Sequence, residues 1–287
     1  MIGIIGGSGL YRMEGLKIYN EEQIKTPFGD PSDLYVMGEL EGRDMVFLPR
    51  HGRGHTILPT EINFRANLYG FKVLGADRIL SVSAVGSMKE ELKPSHVVLP
   101  DQFIDRTRHR PDTFFGNGMA AHVSLAHPVC SELQDLAHKA CLASGAQTHK
   151  NGTYLCMEGP QFSTKAESLL YRSWGVDVIG MTNMQEARLA REAELCFTSL
   201  ALVTDYDCWH EEEAHVTGAA ILEILAANVR LSQQILKALV KSLPEKAGCS
   251  CATALDAAVL TSLKKVPAKT LNALEPLLRG YRKRNNL

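Results

Sequence analysis

Two carboxylates, Asp205 and Asp207, close the apolar run at residues 197–203. If that run is a strand, positions i and i+2 share one face, ~6.6 Å apart along the chain. Two acids this close in a partly apolar site repel, which favours one protonated and one ionised carboxyl. Adenine offers a complementary edge, an N7 acceptor beside an N6 amino donor. A protonated Asp205 would donate to the first, and an ionised Asp207 would accept from the second. The plainer alternative is a strand end carrying two solvated acids.

A second group of residues suits an anion. Gly6-Gly7-Ser8-Gly9 follows a predicted strand and offers turn glycines, backbone N–H groups and a hydroxyl. It fits none of the stricter glycine motifs. Arg12 stands where a dinucleotide fingerprint starting at Gly7 needs its last glycine, Leu10 where a nucleophile elbow needs one, and no Walker lysine follows. Arg50-His51-Gly52, at the end of another predicted strand, sets a rigid guanidinium fork beside an imidazole. His51 and His55 have the spacing of a zinc helix, yet Gly52 replaces the glutamate of that motif and Gly54 disfavours a helix, so no metal site is expected there. A simple turn and a surface basic pair remain the alternatives for these two segments.

The elements that must position these groups read as strands alternating with helices. Apolar runs occur at residues 2–5, 45–48, 79–85, 97–99, 176–179 and 197–203, with helical periodicity between several of them. Pro128 is placed to open a helix with Cys130, Leu133, Leu136, Ala137 and Ala140 on one face. A longer helix over residues 219–243 carries an apolar stripe that includes Ile221, Leu222, Leu225, Val229, Ile235 and Leu239. With no repeat, low-complexity stretch or linker, the chain reads as one α/β domain over residues 1–287, with C-terminal helices from about residue 219.

The 287 residues carry 31 Lys+Arg against 32 Asp+Glu, a formal charge of −1 that argues against a nucleic-acid binder. The basic clusters at residues 106–110 and 282–284 accordingly read as a surface loop and a solvated tail. No run approaches the ~18 apolar residues of a membrane span. The opening residues lack a basic n-region and cleavage site and read as a first buried strand. Seven scattered cysteines do not make a disulfide scaffold, so a cytoplasmic protein is expected.

Taken in order, GGSGL at 6–10, LPRHGRGHTILP at 48–59, SAVGS at 83–87, DQFIDRT at 101–107, MEGPQFST at 157–164, GMTNMQEA at 180–187 and VTDYDCW at 203–209 resemble the trimeric purine nucleoside phosphorylase family, and within it the branch acting on 5'-methylthioadenosine. The resemblance covers nearly the whole chain. It implies an α/β domain with a central mixed, partly barrel-like sheet flanked by helices. It also implies phosphate-dependent cleavage of methylthioadenosine to adenine and 5-methylthioribose 1-phosphate, with phosphate as co-substrate, no cofactor and no metal. By resemblance, Ser8, Arg50, His51, Ser83, Ala84 and Thr182 hold phosphate, Met181 grips the ribose, and Phe162 and Ser163 line the purine. Asp205 and Asp207 read the adenine, and Val216, Ile221 and Leu222 lie near the 5'-substituent. His122 matches a residue that enters a neighbouring subunit's site, which implies a homotrimer or a dimer of trimers.

Several positions bear on specificity. Ser8 and Ser83 replace threonines frequent among relatives and keep the hydroxyl. Gly218 lies where a larger apolar residue fills the 5'-pocket in the eukaryotic-type enzymes, which would admit adenosine. Relatives preferring 6-oxopurines place an amide near the first acid, whereas Met184-Gln185-Glu186 resembles a methylthioinosine-type stretch. A broader purine nucleoside phosphorylase acting on adenosine, methylthioinosine or inosine is therefore one alternative, and a non-catalytic nucleoside-binding protein another. The polar stretch at 210–213 reads as a gate or a solvated helix start. Cys249 and Cys251 read as two unpaired thiols, although some heat-stable relatives carry such a pair as a strained disulfide.

Overall fold

The short apolar runs become buried strands because each must cover itself on both faces. The computed structural model describes residues 1–7, 9–210 and 218–287, with the backbone alone for 218–222. The strands are β1 (Ile2–Gly6), β2 (Lys17–Glu22), β3 (Tyr35–Leu40), β4 (Arg43–Pro49), β5 (Arg78–Ser87), β6 (Val97–Leu99), β7 (Gln102–Arg106), β8 (Thr148–Lys150), β9 (Thr153–Met157), β10 (Val178–Gly180) and β11 (Cys196–Tyr206). The helices are α1 (Phe64–Val73), α2 (Ser131–Ala143), α3 (Lys165–Ser173), α4 (Asn183–Glu192), α5 (Gly218–Ser242), α6 (Ala268–Ala273) and α7 (Glu275–Arg284).

All the described strands join one sheet in the order β2-β3-β4-β1-β5-β10-β9-β7, with β11 pairing both β5 and β6, and β8 pairing β6. The expected mixed α/β sheet is present, and its departure from a simple open sheet is a branch at β5. Residues 78–81 of β5 pair with β1 on one side, while β11 runs parallel to β5 along its whole length on the other. Further along β5, beyond the stretch paired with β1, β10 pairs antiparallel and sets Ile179 opposite Gly86.

Period-2 alternation along these strands sends successive side chains into two apolar layers. Ile5, Val46, Leu48, Ile79 and Phe197 pack with Leu68 and Phe71 of α1, Ala187 and Leu189 of α4, and Leu277 and Leu278 of α7. Ile4, Phe47, Leu80, Leu200 and Leu202 pack on the other face with Leu133 and Ala137 of α2 and Ile235, Leu236 and Leu239 of α5. No helix of the described residues is long and apolar enough to cross a membrane.

Two local expectations are corrected. Pro128 does not open α2. The backbone N–H of Cys130 donates to Phe197 O at 2.8 Å, which keeps Cys130 extended as the N-cap and delays the helix to Ser131. The strand over 197–203 runs on to Tyr206, but a register shift between Val203 and Asp205 interrupts it, and Asp207 falls just past its end. Ideal i, i+2 geometry therefore does not apply to the acids.

Gly180 shows how tightly the branch is packed. A Cβ there would lie 1.9 Å from Oη of the fully buried Tyr154. Gly180→Ala should lower the unfolding free energy by about 1–3 kcal/mol, because a rigid core has no room for the methyl. Chemical denaturation checks this, and an unchanged midpoint would show that Tyr154 yields.

Candidate active site

Because β1, β4, β5 and β11 run parallel, their C-terminal ends share one edge of the sheet, the usual place for a site in such a sheet. β4 delivers Arg50 and His51 there, and β5 delivers Ser83, Ala84 and Gly86. β10 runs the other way, so Met181 and Thr182, next in the chain, return toward Ala84 and Ser83. Ala84 is exposed between two buried neighbours, which marks where the strand opens to solvent.

Arg50 is 3% exposed and held on every side. Its Nε donates to Glu186 Oε1 at 2.8 Å, Nη1 to Val82 O at 2.7 Å, and Nη2 to Ser81 Oγ at 2.7 Å and Ile5 O at 3.2 Å. Of the five guanidinium hydrogens, one on Nη1 is left without an acceptor among the described residues. Glu186, 1% exposed, also accepts from Ser81 Oγ at 2.6 Å and Asn183 Nδ2 at 3.1 Å. Asn183 Oδ1 in turn accepts from Ser199 Oγ at 2.6 Å and Ser83 Oγ at 3.3 Å.

His51 Nδ1 lies 2.8 Å from Ile57 O, an acceptor, so Nδ1 carries the proton. Burial pushes the His51 pKa down to about 4, assisted by the nearby positive charges of Arg50 and His55 and opposed by the Ile57 hydrogen bond. The ring is neutral at pH 7, and Nε2 is therefore an acceptor. Its neighbour His55 stacks on it at 4.3 Å.

Thr182 is buried at the N-cap of α4, and its side chain makes no capping hydrogen bond. Its hydroxyl thus sits at the positive end of a helix, where an anion is favoured. Met181 is positioned from behind. Arg110 donates to Met181 O, to Gln185 Oε1 at 3.1 Å, and through Nε to Glu158 Oε1 at 2.9 Å. The expectation of a solvated basic loop at 106–110 is therefore corrected at Arg110, which is only 8% exposed. The expected basic tail is also engaged, since Arg284 Nη2 lies 2.8 Å from Asp256 Oδ1 and also pairs with Glu194.

The two acids border one glycine. A Cβ on Gly86 would lie 3.3 Å from Asp205 Oδ1 and 3.4 Å from Asp207 Cβ. Thr204 Oγ1 is 2.6 Å from Asp205 Oδ2. Asp207 is anchored by its N–H to Ser87 O at 3.1 Å, and Trp209 Nε1 donates to the same carbonyl at 2.8 Å. Asp207 Oδ2 is buried and has no hydrogen-bond partner among the described residues. An orphan carboxylate oxygen at a strand end suits a ligand N–H.

Ser163 reaches this group through Cys208, whose Sγ lies 3.4 Å from Ser163 O. Phe162 is 83% exposed. His122 is exposed on a segment tied to Ala258 by a 2.8 Å backbone hydrogen bond, and among the described residues no contact joins it to Arg50, Thr182 or the acids. Ser8, Val216 and residues 211–213 lie outside the described residues. Gly218, Ile221 and Leu222 are placed in α5 by backbone only, their side chains being outside the description. A concavity of about 560 Å³ between Phe28, Arg65, Phe115 and Thr270 contains none of these residues.

Sequence reading missed Glu186, Asn183 and Arg110 as positioning groups. The available signal was a polar stretch, Asn183 to Glu186, in a segment whose apolar partners face the core.

Residues 1–241 match the protein-family model of the phosphorylase superfamily. An S-methyl-5'-thioadenosine phosphorylase of Geobacter sulfurreducens is 55% identical over 282 residues, spanning 98% of this chain and 99% of the relative. The crystal structure of a methylthioadenosine phosphorylase sourced from an antarctic soil metagenomic library superposes with a TM-score of 0.94 at 48% identity, over 96% of this chain and 98% of the other. That of a mutant adenosine/methylthioadenosine phosphorylase from Schistosoma mansoni, in complex with methylthioadenosine, gives 0.80 at 35% identity, over 86% and 92%.

The His51 environment has a measurable consequence. The folded protein resists protonation down to about pH 4, whereas the unfolded chain takes the proton near 6.5, so stability is full above 6.5 and declines as pH falls between these values. His51→Gln should flatten that part of the slope. Urea denaturation at a series of pH values compares the two proteins, and parallel profiles would refute the buried neutral ring.

Proposed function

The chain belongs to the phosphorylase superfamily, and from that premise we propose that it cleaves 5'-methylthioadenosine with inorganic phosphate to adenine and 5-methylthioribose 1-phosphate. The observation that carries this reading is the meeting of two half-sites on one strand edge. The acids around Gly86 suit the adenine edge, and Arg50, Ser83 and the α4 N-terminus at Thr182 suit an oxyanion.

As the glycosidic bond stretches, the ribose gains oxocarbenium character and electrons accumulate on the purine. A protonated Asp205 neutralises the leaving base at N7 as general acid, and Asp207 Oδ2 accepts from N6. Phosphate rests against Thr182, Ser83 and the spare Nη1 hydrogen of Arg50. His51 Nε2, being an acceptor, receives the P–O–H of a hydrogen phosphate rather than adding positive charge. Glu186 already balances Arg50, so the phosphate keeps much of its negative charge to face the developing cation. Ser8 belongs to the same phosphate shell in this proposal, with Ala84 lining it. Met181 holds the ribose, Phe162 and Ser163 border the base, and Val216, Gly218, Ile221 and Leu222 surround the 5'-group.

A ring as exposed as Phe162 is a poor wall for a base in a lone subunit. With Leu169, Leu170 and Trp174 also exposed nearby in sequence, this supports a homotrimer in which the partner subunit's His122 completes the site. The chain then acts as a single cytoplasmic domain whose ligands come from nearly its whole length.

Four measurements test this. Adenine release should require phosphate; release without it would indicate a hydrolase, and none under any condition a binder. Methylthioadenosine should be cleaved faster than methylthioinosine or inosine, since O6 cannot donate to Asp207 and a mismatched buried acceptor costs about 1–3 kcal/mol. Asp205→Asn should lower kcat by about 10²- to 10⁴-fold while leaving the phosphate KM nearly unchanged; an unaffected kcat ends the general-acid assignment. Sedimentation equilibrium should give three chains per particle or a multiple of three, and a monomer would remove His122 from the site.

A further inference from the structure

Four of the seven cysteines converge far from the acids. Cys130 caps α2, Cys196 begins β11, and Cys249 and Cys251 flank Ser250 where a short 3-10 turn starts. Their sulfurs all lie within 4.8 Å of one another, with Cys196 and Cys249 at 3.2 Å. Cys130, Cys196 and Cys251 are buried and Cys249 is half-buried, all four carrying free thiols. The sequence shows only the Cys249-x-Cys251 pair, which is why it predicted neither a cluster nor a metal.

We propose that these four cysteines form a tetrathiolate site for zinc. Zinc bonded to four sulfurs at ~2.3 Å in a tetrahedron sets them ~3.8 Å apart, which falls between the closest pair and the widest separation in the cluster. Four thiols drawn from three separate stretches supply the full ligand set of a closed structural site, with no position left for water or substrate. Cys130, Cys196 and Cys251 belong to the apolar layer that includes Leu133 and Ala137, which limits solvent, while half-buried Cys249 at its margin provides the way in. Binding converts four thiols to thiolates and releases four protons to the buffer, so the loaded centre carries a net charge of −2. Arg191, whose Nη1 is 3.7 Å from Cys251 Sγ, partly offsets that charge.

The role is structural. Cys196 and Asp205 stand at opposite ends of β11, ~30 Å apart at strand rise, so the metal touches no reacting atom. It fastens the segment after α5 to the start of the strand that carries the acid pair. The inference is independent of the proposed reaction.

The probe is cobalt(II), added anaerobically to the reduced full-length protein and then displaced by zinc. The expected result is a thiolate-to-cobalt charge-transfer band with tetrahedral d–d bands, saturating at one cobalt per chain and lost in Cys249→Ser. Cys141→Ser, at a buried cysteine outside the cluster, should retain them. Zinc should also protect Cys130, Cys196, Cys249 and Cys251, but not exposed Cys208, from alkylation mapped by mass spectrometry. That mapping uses the unaltered protein and decides the matter if Cys249→Ser fails to fold. Absence of the bands, their persistence in folded Cys249→Ser, or equal alkylation with and without zinc overturns the site. So does a protein that, purified under reductant, is four hydrogens lighter because these thiols are paired as disulfides.

Discussion

The buried pair of Arg50 and Glu186 is the interaction on which the candidate site depends. Both charges have been taken out of water, and removing either partner would strand the other at a cost of about 3–5 kcal/mol. Such a pair survives only where its remaining donors and acceptors are met. Here all but one Nη1 hydrogen of Arg50 are met, by Ile5 at the end of β1, Ser81 and Val82 of β5, and Asn183 at the start of α4. One ion pair thereby fixes the relative position of the ends of β1 and β4, the middle of β5 and a helix N-terminus. Its neutrality also sets the character of the anion site, where attraction comes from oriented N–H groups and hydroxyls more than from net charge.

The branch at β5 does the complementary work on the base side. Because β10 pairs antiparallel with β5 at Gly86 and Ser87, beyond the stretch paired with β1, Met181 and Thr182 are turned back toward β5 instead of running off the edge. Because β11 follows β5 to its end, the acids arrive beside Gly86 from the opposite side. Arg110, reaching Met181 O and Gln185 from the 106–110 loop, locks the returning segment.

Much of this was legible in the sequence, and the limits have physical causes. Buried strands announce themselves by continuous apolar runs, so β1, β4, β5, β6 and β11 were readable to within a few residues. Arg50, His51, Asp205 and Asp207 stood out because polar groups follow directly on those runs. The bulge before Asp205 was invisible, since one extra residue in a ladder leaves no mark in composition. Arg110 was misread because its cluster is basic overall, and burial depends on Met181, Gln185 and Glu158 lying far away in the chain. Glu186 escaped for the same reason: its partner is 136 residues distant. The cysteines at 130 and 196 gave no local spacing to count.

The orphaned oxygen of Asp207 has an implication for the resting protein. Among the described residues this buried acceptor has no donor, and an arriving amino group brings it relief. That relief does not distinguish an intact nucleoside from the free base once the glycosidic bond is broken. On the proposed reading, adenine competes with the substrate from which it was made, and the same carboxylate that selects the 6-amino group also makes the enzyme answer to the accumulation of its own product.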